Sequence, residues 1–80
     1  MIDYLEEVKK IIIKQFGLEE DIVEEESFLE TDLNMTEFDL EDLIAQIEDK
    51  YEIEIPPDDY TKFKTVGDIA NYLYEHITSA

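Results

Sequence analysis

The stretch Thr36–Pro57, TEFDLEDLIAQIEDKYEIEIPP, decides the fold. Leu40, Leu43, Ile44, Ile47 and Tyr51 recur at helical spacing and make one apolar stripe. Glu37, Glu41, Asp42, Glu48 and Asp49 fall on the opposite face, so this helix is written to be half buried and half solvated. Thr36 is a good N-cap, and Asp39 three positions on completes a variant of the capping box. Ile53 and Ile55 then lead into Pro56-Pro57, which cannot continue a helix and ends the pattern.

Backward from this helix, residues 18–35 show no clean period, although Leu18, Ile22, Val23, Phe28, Leu29, Leu33 and Met35 are spread through them. A connection of that length inside a small domain needs anchors of its own. An ordered loop packed onto the helices is expected, with Glu24-Glu25-Glu26 as a solvated face. Before it, Leu5, Val8, Ile12 and Phe16 mark one face of a helix from about Asp3 to Phe16. Asp3 caps it, Lys9, Lys10 and Lys14 lie toward its negative end, and Gly17 supplies a left-handed stop. Forward of the prolines, Asp58 to about Phe63 reads as one short helical turn. Thr65 and Asp68 repeat the capping pattern for a last helix, whose Val66, Ile69, Ala70, Leu73 and Ile77 face inward. There is no useful strand alternation and no internal repeat. An all-α bundle with one long ordered loop between its first two helices follows.

Length and charge narrow what such a bundle does. Eighty residues make one domain, residues 1–80, burying about 60 % of its unfolded surface and leaving no room for separate substrate and cofactor domains. Twenty-three acidic residues face six lysines and no arginine, for a net charge of -17. That field repels phosphate backbones and anionic headgroups, so nucleic acid and membrane insertion are excluded as expectations and basic protein surfaces are favoured. With 44 % hydrophobic residues the chain is too apolar for a disordered acidic tail. The lack of cysteine removes disulfides, thiolate metal sites and thiol nucleophiles. Ile11-Ile12-Ile13 is far too short for a membrane span or a signal-peptide core. A cytoplasmic monomer is expected.

No catalytic constellation is assembled. His76 stands alone near a helix end, and Ser27 and Ser79 lie in loop and tail settings without a strand–turn–helix elbow. Carboxylate pairs arise by chance in so acidic a chain. Asp58-Asp59 and Glu48-Asp49 lack the glycine-bearing spacing of a calcium loop, so no metal site is indicated. The chain does not read as an enzyme.

The order of the parts carries more. Ser27-Phe28 followed by Asp32-Leu33, then Phe38-Asp39 with Asp42-Leu43, then Glu54-Ile55-Pro56, and finally Thr65-Val66-Gly67-Asp68-Ile69 resemble the acyl carrier protein family, over nearly the whole chain. The resemblance implies a small four-helix bundle whose acidic second helix docks basic enzyme surfaces in fatty-acid and polyketide synthesis. It also implies a phosphopantetheine arm on the serine of an Asp-Ser-Leu motif at the start of that helix. Aligned through Asp32-Leu33 and Asp42-Leu43, the serine position falls on Glu37, with Thr36 for the aspartate and Phe38 for the leucine. A carboxylate attacking coenzyme A would give a hydrolysable mixed anhydride instead of a durable phosphodiester. Slipping the alignment to use Thr36 breaks the match to Asp39, Asp42 and Leu43. Four and eight residues further on, where the family often exposes apolar groups, stand Glu41 and Ala45.

The expectation is therefore a carrier-like module without its arm and without cofactor. It docks basic surfaces of lipid or acyl-transfer enzymes through Phe38, Glu41, Asp42, Ala45, Glu48 and Asp49. Two other readings fit the same residues: a genuine carrier loaded with phosphopantetheine at an altered or unrecognised site, and an acidic helical bundle with no carrier role. An alternative docking face runs through Tyr60, Phe63 and Tyr72.

Overall fold

Helix starts in this chain occur where a side chain can take a backbone N–H that the helix itself leaves unpaired. Asp3 accepts from the Glu6 amide at 3.2 Å, Thr36 from Asp39 at 3.1 Å and Thr65 from Asp68 at 3.2 Å. At the two threonine caps the aspartate returns the bond, accepting from the Thr36 and Thr65 amides at 3.0 Å each. The computed structural model describes residues 3–77. Within them α1 spans Tyr4–Phe16, α2 Glu37–Tyr51 and α3 Val66–His76. A 3₁₀ helix, Pro57–Lys62, stands between α2 and α3, and a single 3₁₀ turn, Glu20–Ile22, lies in the loop after α1. The four helices implied by the resemblance are present, with the short one wound as 3₁₀ around the prolines. Helix α1 stops at Gly17 (φ 64°), in the left-handed conformation that glycine adopts without strain. Helix α2 stops at Glu52 with a similar φ of 54° and no such freedom.

The helices close over Val8, Ile12, Leu43, Ile44, Ile47, Val66, Ile69 and Leu73, all fully buried. Each contributes about 1.5–3 kcal/mol of transfer free energy, an upper bound because the unfolded chain already buries some surface. The inward face of α1 is turned from the expected one. Tyr4, Val8 and Ile12 are buried, while Leu5 and Phe16 pack only partly. Tyr4 is drawn in by two edge-to-face aromatic neighbours, Tyr51 at 5.6 Å and Tyr74 at 4.9 Å between ring centres. The Tyr74 hydroxyl also accepts from the Tyr4 amide at 3.1 Å. Such aromatic pairs are worth about 0.5–1.5 kcal/mol beyond area. That favours Tyr4 over Leu5 at the edge of a face that keeps Val8 and Ile12 buried.

The long loop is ordered, as its scattered apolar residues imply. Val23, Leu29, Leu33 and Met35 are buried, but Ile22 and Phe28 remain exposed. Ser27 is its hub: its hydroxyl accepts from the Glu24 amide at 3.0 Å and donates to the Ile22 carbonyl at 2.9 Å. From there the loop fastens onto the start of α3. Val66 donates to Ser27, Gly67 to Glu25, and Leu29 to the Lys64 carbonyl at 2.9 Å, with an isolated antiparallel bridge pairing Phe28 and Thr65. A Cβ on Gly67 would stand 2.7 Å from Glu25 Cγ, so the absent side chain is what lets the backbones meet.

Candidate functional site

The first turn of α2 is left open by the rest of the fold. Glu37 is the first residue of the helix and is exposed. Its carboxylate makes no hydrogen bond or ion pair among the described residues, and it sits at the end of the helix where negative charge is favourable. The neighbouring Thr36 hydroxyl is engaged as the cap on Asp39. Phe38, next along, is 77 % exposed. It is the most open of the four exposed large hydrophobics among the described residues, ahead of Phe28, Ile22 and Tyr74, and such exposure calls for a role.

Glu41, Asp42, Ala45 and Asp49 continue the exposed side of α2. Glu48 does not stand with them in the same way. It is half-buried, and its Oε2 accepts from the Ile55 amide at 2.8 Å, folding the segment after α2 back along the helix. Of the alternative face, Phe63 and Tyr72 are buried and only Tyr60 is half-exposed.

Beside this turn runs an open groove of about 1020 Å³. Phe28, Leu29, Met35, Leu40, Tyr60 and Phe63 give it an apolar floor. Glu30, Glu37 and Glu41 stand along it, with Lys64 as the one cation of its lining. Two separate stretches build it: the end of the loop running on into the start of α2, and the end of the 3₁₀ helix with the residues after it. Spacing along the chain gave no sign of it, and Phe28 and Tyr60, aromatic residues outside any helical stripe, were the only local signals.

The 3₁₀ helix that forms one wall is tied to α3. Tyr72 donates to Asp59 Oδ2 at 2.9 Å while Lys62 pairs with Asp59 Oδ1 at 3.0 Å. The Lys62 and Tyr72 bonds hold the Asp59 carboxyl below the ordinary carboxylate range. Burial, reinforced by the same bond, pushes the Tyr72 phenol up to about 12. Across the molecule Lys50 pairs with Glu7 at 3.0 Å, linking α2 to α1 and lowering the Glu7 pKa.

The remaining polar candidates have structural settings. Ser27 is buried as the loop hub, and His76 stacks on Tyr72 at 3.9 Å with Nδ1 2.9 Å from the Tyr72 carbonyl oxygen. Ser79 lies outside the described residues. Among the described residues no cluster of three or more histidine or acidic side chains is arranged to hold a metal ion, and no helix is long and apolar enough to cross a membrane.

Residues 6–73 match the family model described as the phosphopantetheine attachment site. The chain belongs to that family. The chain is of acyl-carrier type, a non-enzymatic carrier. The solution structure of a candidate acyl carrier protein from Anaplasma phagocytophilum superposes with a TM-score of 0.84 at 28 % identity, over 95 % of this chain and 90 % of that one. The acyl carrier protein of Enterococcus faecalis does so with a TM-score of 0.77 at 30 % identity, over 92 % of this chain and 94 % of that one. The all-α carrier fold, with its long gap between α1 and α2, is thus shared over nearly the whole chain.

Proposed function

We propose that this carrier-family chain works without a covalent arm, docking its acidic α2 face onto basic surfaces of lipid or acyl-transfer enzymes. The observation that carries the reading is Glu37, a carboxylate on the first residue of α2, where alignment through Asp32-Leu33 and Asp42-Leu43 places the attachment serine. A phosphodiester needs a hydroxyl there, and the adjacent Thr36 hydroxyl is occupied as a helix cap. The remaining acids of the face, Asp42 and Asp49 foremost, steer a basic partner and act chiefly on the association rate. Glu41 and Ala45 replace apolar anchors, so Phe38 is the apolar contact left on this face. Residues 1–80 act as one domain and as a monomer.

Intact mass after incubation with coenzyme A and a broad phosphopantetheinyl transferase tests the reading. The chain as written gains no mass. Glu37→Ser gains the arm, more slowly than an ordinary carrier, and Glu41→Val with Ala45→Met speeds the reaction. A mass gain by the unaltered chain overturns the proposal, and peptide mapping then locates the loaded hydroxyl.

A further inference from the structure

We infer that the Glu37 carboxylate stands in for the phosphodiester of a loaded carrier. Enzymes that act on loaded carriers then prefer this chain for that charge, whereas enzymes that load them gain nothing from it. On the armless reading above, which this inference extends, the chain holds its partner in the loaded-carrier state with nothing to transfer.

Covalent geometry sets up the likeness. In a serine phosphodiester the phosphorus is the third atom out from Cα, after Cβ and Oγ. In glutamate the carboxyl carbon Cδ is the third, after Cβ and Cγ. Each centre carries oxygens that share one negative charge and only accept hydrogen bonds. Donors aimed at a phosphodiester therefore meet a carboxylate at nearly the same reach, and such charge-assisted bonds are about twice as strong as neutral ones. Any side chain lacking a hydroxyl prevents loading. Glutamate also restores the charge that loading brings.

The structure sets Glu37 apart from the acids around it. Asp39 Oδ2 accepts from the Thr36 amide at 3.0 Å and Asp32 Oδ2 from the Phe28 amide at 2.8 Å, so both of these carboxylates serve the backbone. Glu37 has no such bond among the described residues, is exposed and opens α2. Glu30 and Glu41 are exposed as well, but alignment through Asp32-Leu33 and Asp42-Leu43 puts neither at the attachment position. The positive end of α2 favours an acid at Glu37 on local grounds alone. That local role acts on stability and not on which enzyme is held.

Competition against an ordinary carrier of the family separates the two roles. The unaltered chain is added to two assays: hydrolysis of the arm from the loaded carrier by a phosphodiesterase that removes it, and loading of the bare carrier by a phosphopantetheinyl transferase. The chain is expected to inhibit hydrolysis about tenfold more strongly than Glu37→Gln, which keeps the size and removes the charge. In the loading assay the two inhibit alike. Glu37→Asp, with its charge drawn in by one bond, falls between them against hydrolysis. Glu41→Gln removes the same charge one turn further along α2 and stays within about twofold of the parent. Four results each overturn the inference: no inhibition of hydrolysis, equal inhibition by parent and Glu37→Gln, equal losses for Glu37→Gln and Glu41→Gln, or a Glu37→Gln loss just as large against loading. The mass experiment fails separately. An arm gained by Glu37→Ser without any preference in the competition sinks the charge reading alone, and mass gained by the unaltered chain sinks the armless one.

Discussion

At the start of α2, Thr36 and Asp39 exchange backbone hydrogen bonds at 3.1 and 3.0 Å; at the start of α3, Thr65 and Asp68 do so at 3.2 and 3.0 Å. The local chemistry is the same, and the surroundings are opposite. After the first cap come Glu37 and Phe38, both exposed. After the second come Val66 and Gly67, both buried and both donating backbone hydrogen bonds to the loop. The cap fixes where a helix begins. The next two side chains, and the loop that does or does not fold over them, fix whether that beginning is a joint or an open face.

The sharpest way to break the contrast is to put a side chain where the loop crosses. Gly67→Val brings carbon to within 2.7 Å of Glu25 Cγ and 3.1 Å of its carbonyl oxygen, and overpacking of this kind costs about 1–3 kcal/mol. Urea unfolding reads it, and a Gly67→Val chain as stable as the parent breaks the joint described here. The two caps come next. Thr65→Ala costs about 1–2 kcal/mol and Thr36→Ala about 0.5–1 kcal/mol, because the Thr65 bond is partly buried and its partner Asp68 also holds the Lys64 amide. Equal losses would mean that covering adds nothing to a cap.

A smaller effect concerns the other tie on α3. The Asp59 carboxyl is held low by Lys62 and Tyr72, so its stabilising contribution is fully present above the ordinary carboxylate pKa of about 3.9. That contribution is lost as pH falls through the lower folded value. Parent and Asp59→Asn chains therefore differ in thermal stability by a constant amount at neutral pH, and the difference closes only in strong acid. A gap already closed at pH 6 would contradict the tie. The smallest effect belongs to the open helix start. Glu37→Gln and Phe38→Ala change unfolding stability by no more than about 0.5 kcal/mol, as for surface residues outside the packing. A larger loss would mean that α2 also begins in a joint.

The features legible in the sequence lie within one or two turns of chain. Both capping boxes, the Gly17 stop and the α2 stripe need only near neighbours, and all appear where they were expected; α2 instead ends before the prolines, at Glu52 in the left-handed conformation. The choice of Tyr4 over Leu5 was not legible, because it depends on Tyr51 and Tyr74, brought together only by the fold. The same holds for Glu48, whose solvated spacing gives no hint that it holds the Ile55 amide. Ser27 reads as a loop polar residue until the chain doubles back on it. At the candidate site, the place of Glu37 on the first turn of α2 follows from the cap alone. The groove beside it does not, since its floor is assembled from two stretches far apart in the chain.

The tyrosine cluster has a further consequence for how the molecule is held. The Tyr74 hydroxyl lies 3.4 Å from Asp3, and Tyr51 at the far end of α2 packs on Tyr4. The first and last turns of the described chain therefore share one pole. Helix α2 has 15 residues, about 22 Å of length, so Glu37 and Phe38 stand at the other pole. Anything joined beside Asp3 or beyond Tyr74, whether a bead, a sensor chip or a fused protein, becomes a handle on the same side. Gripped by either handle, the molecule holds the groove and the open helix start outward, as a probe is held by its shaft.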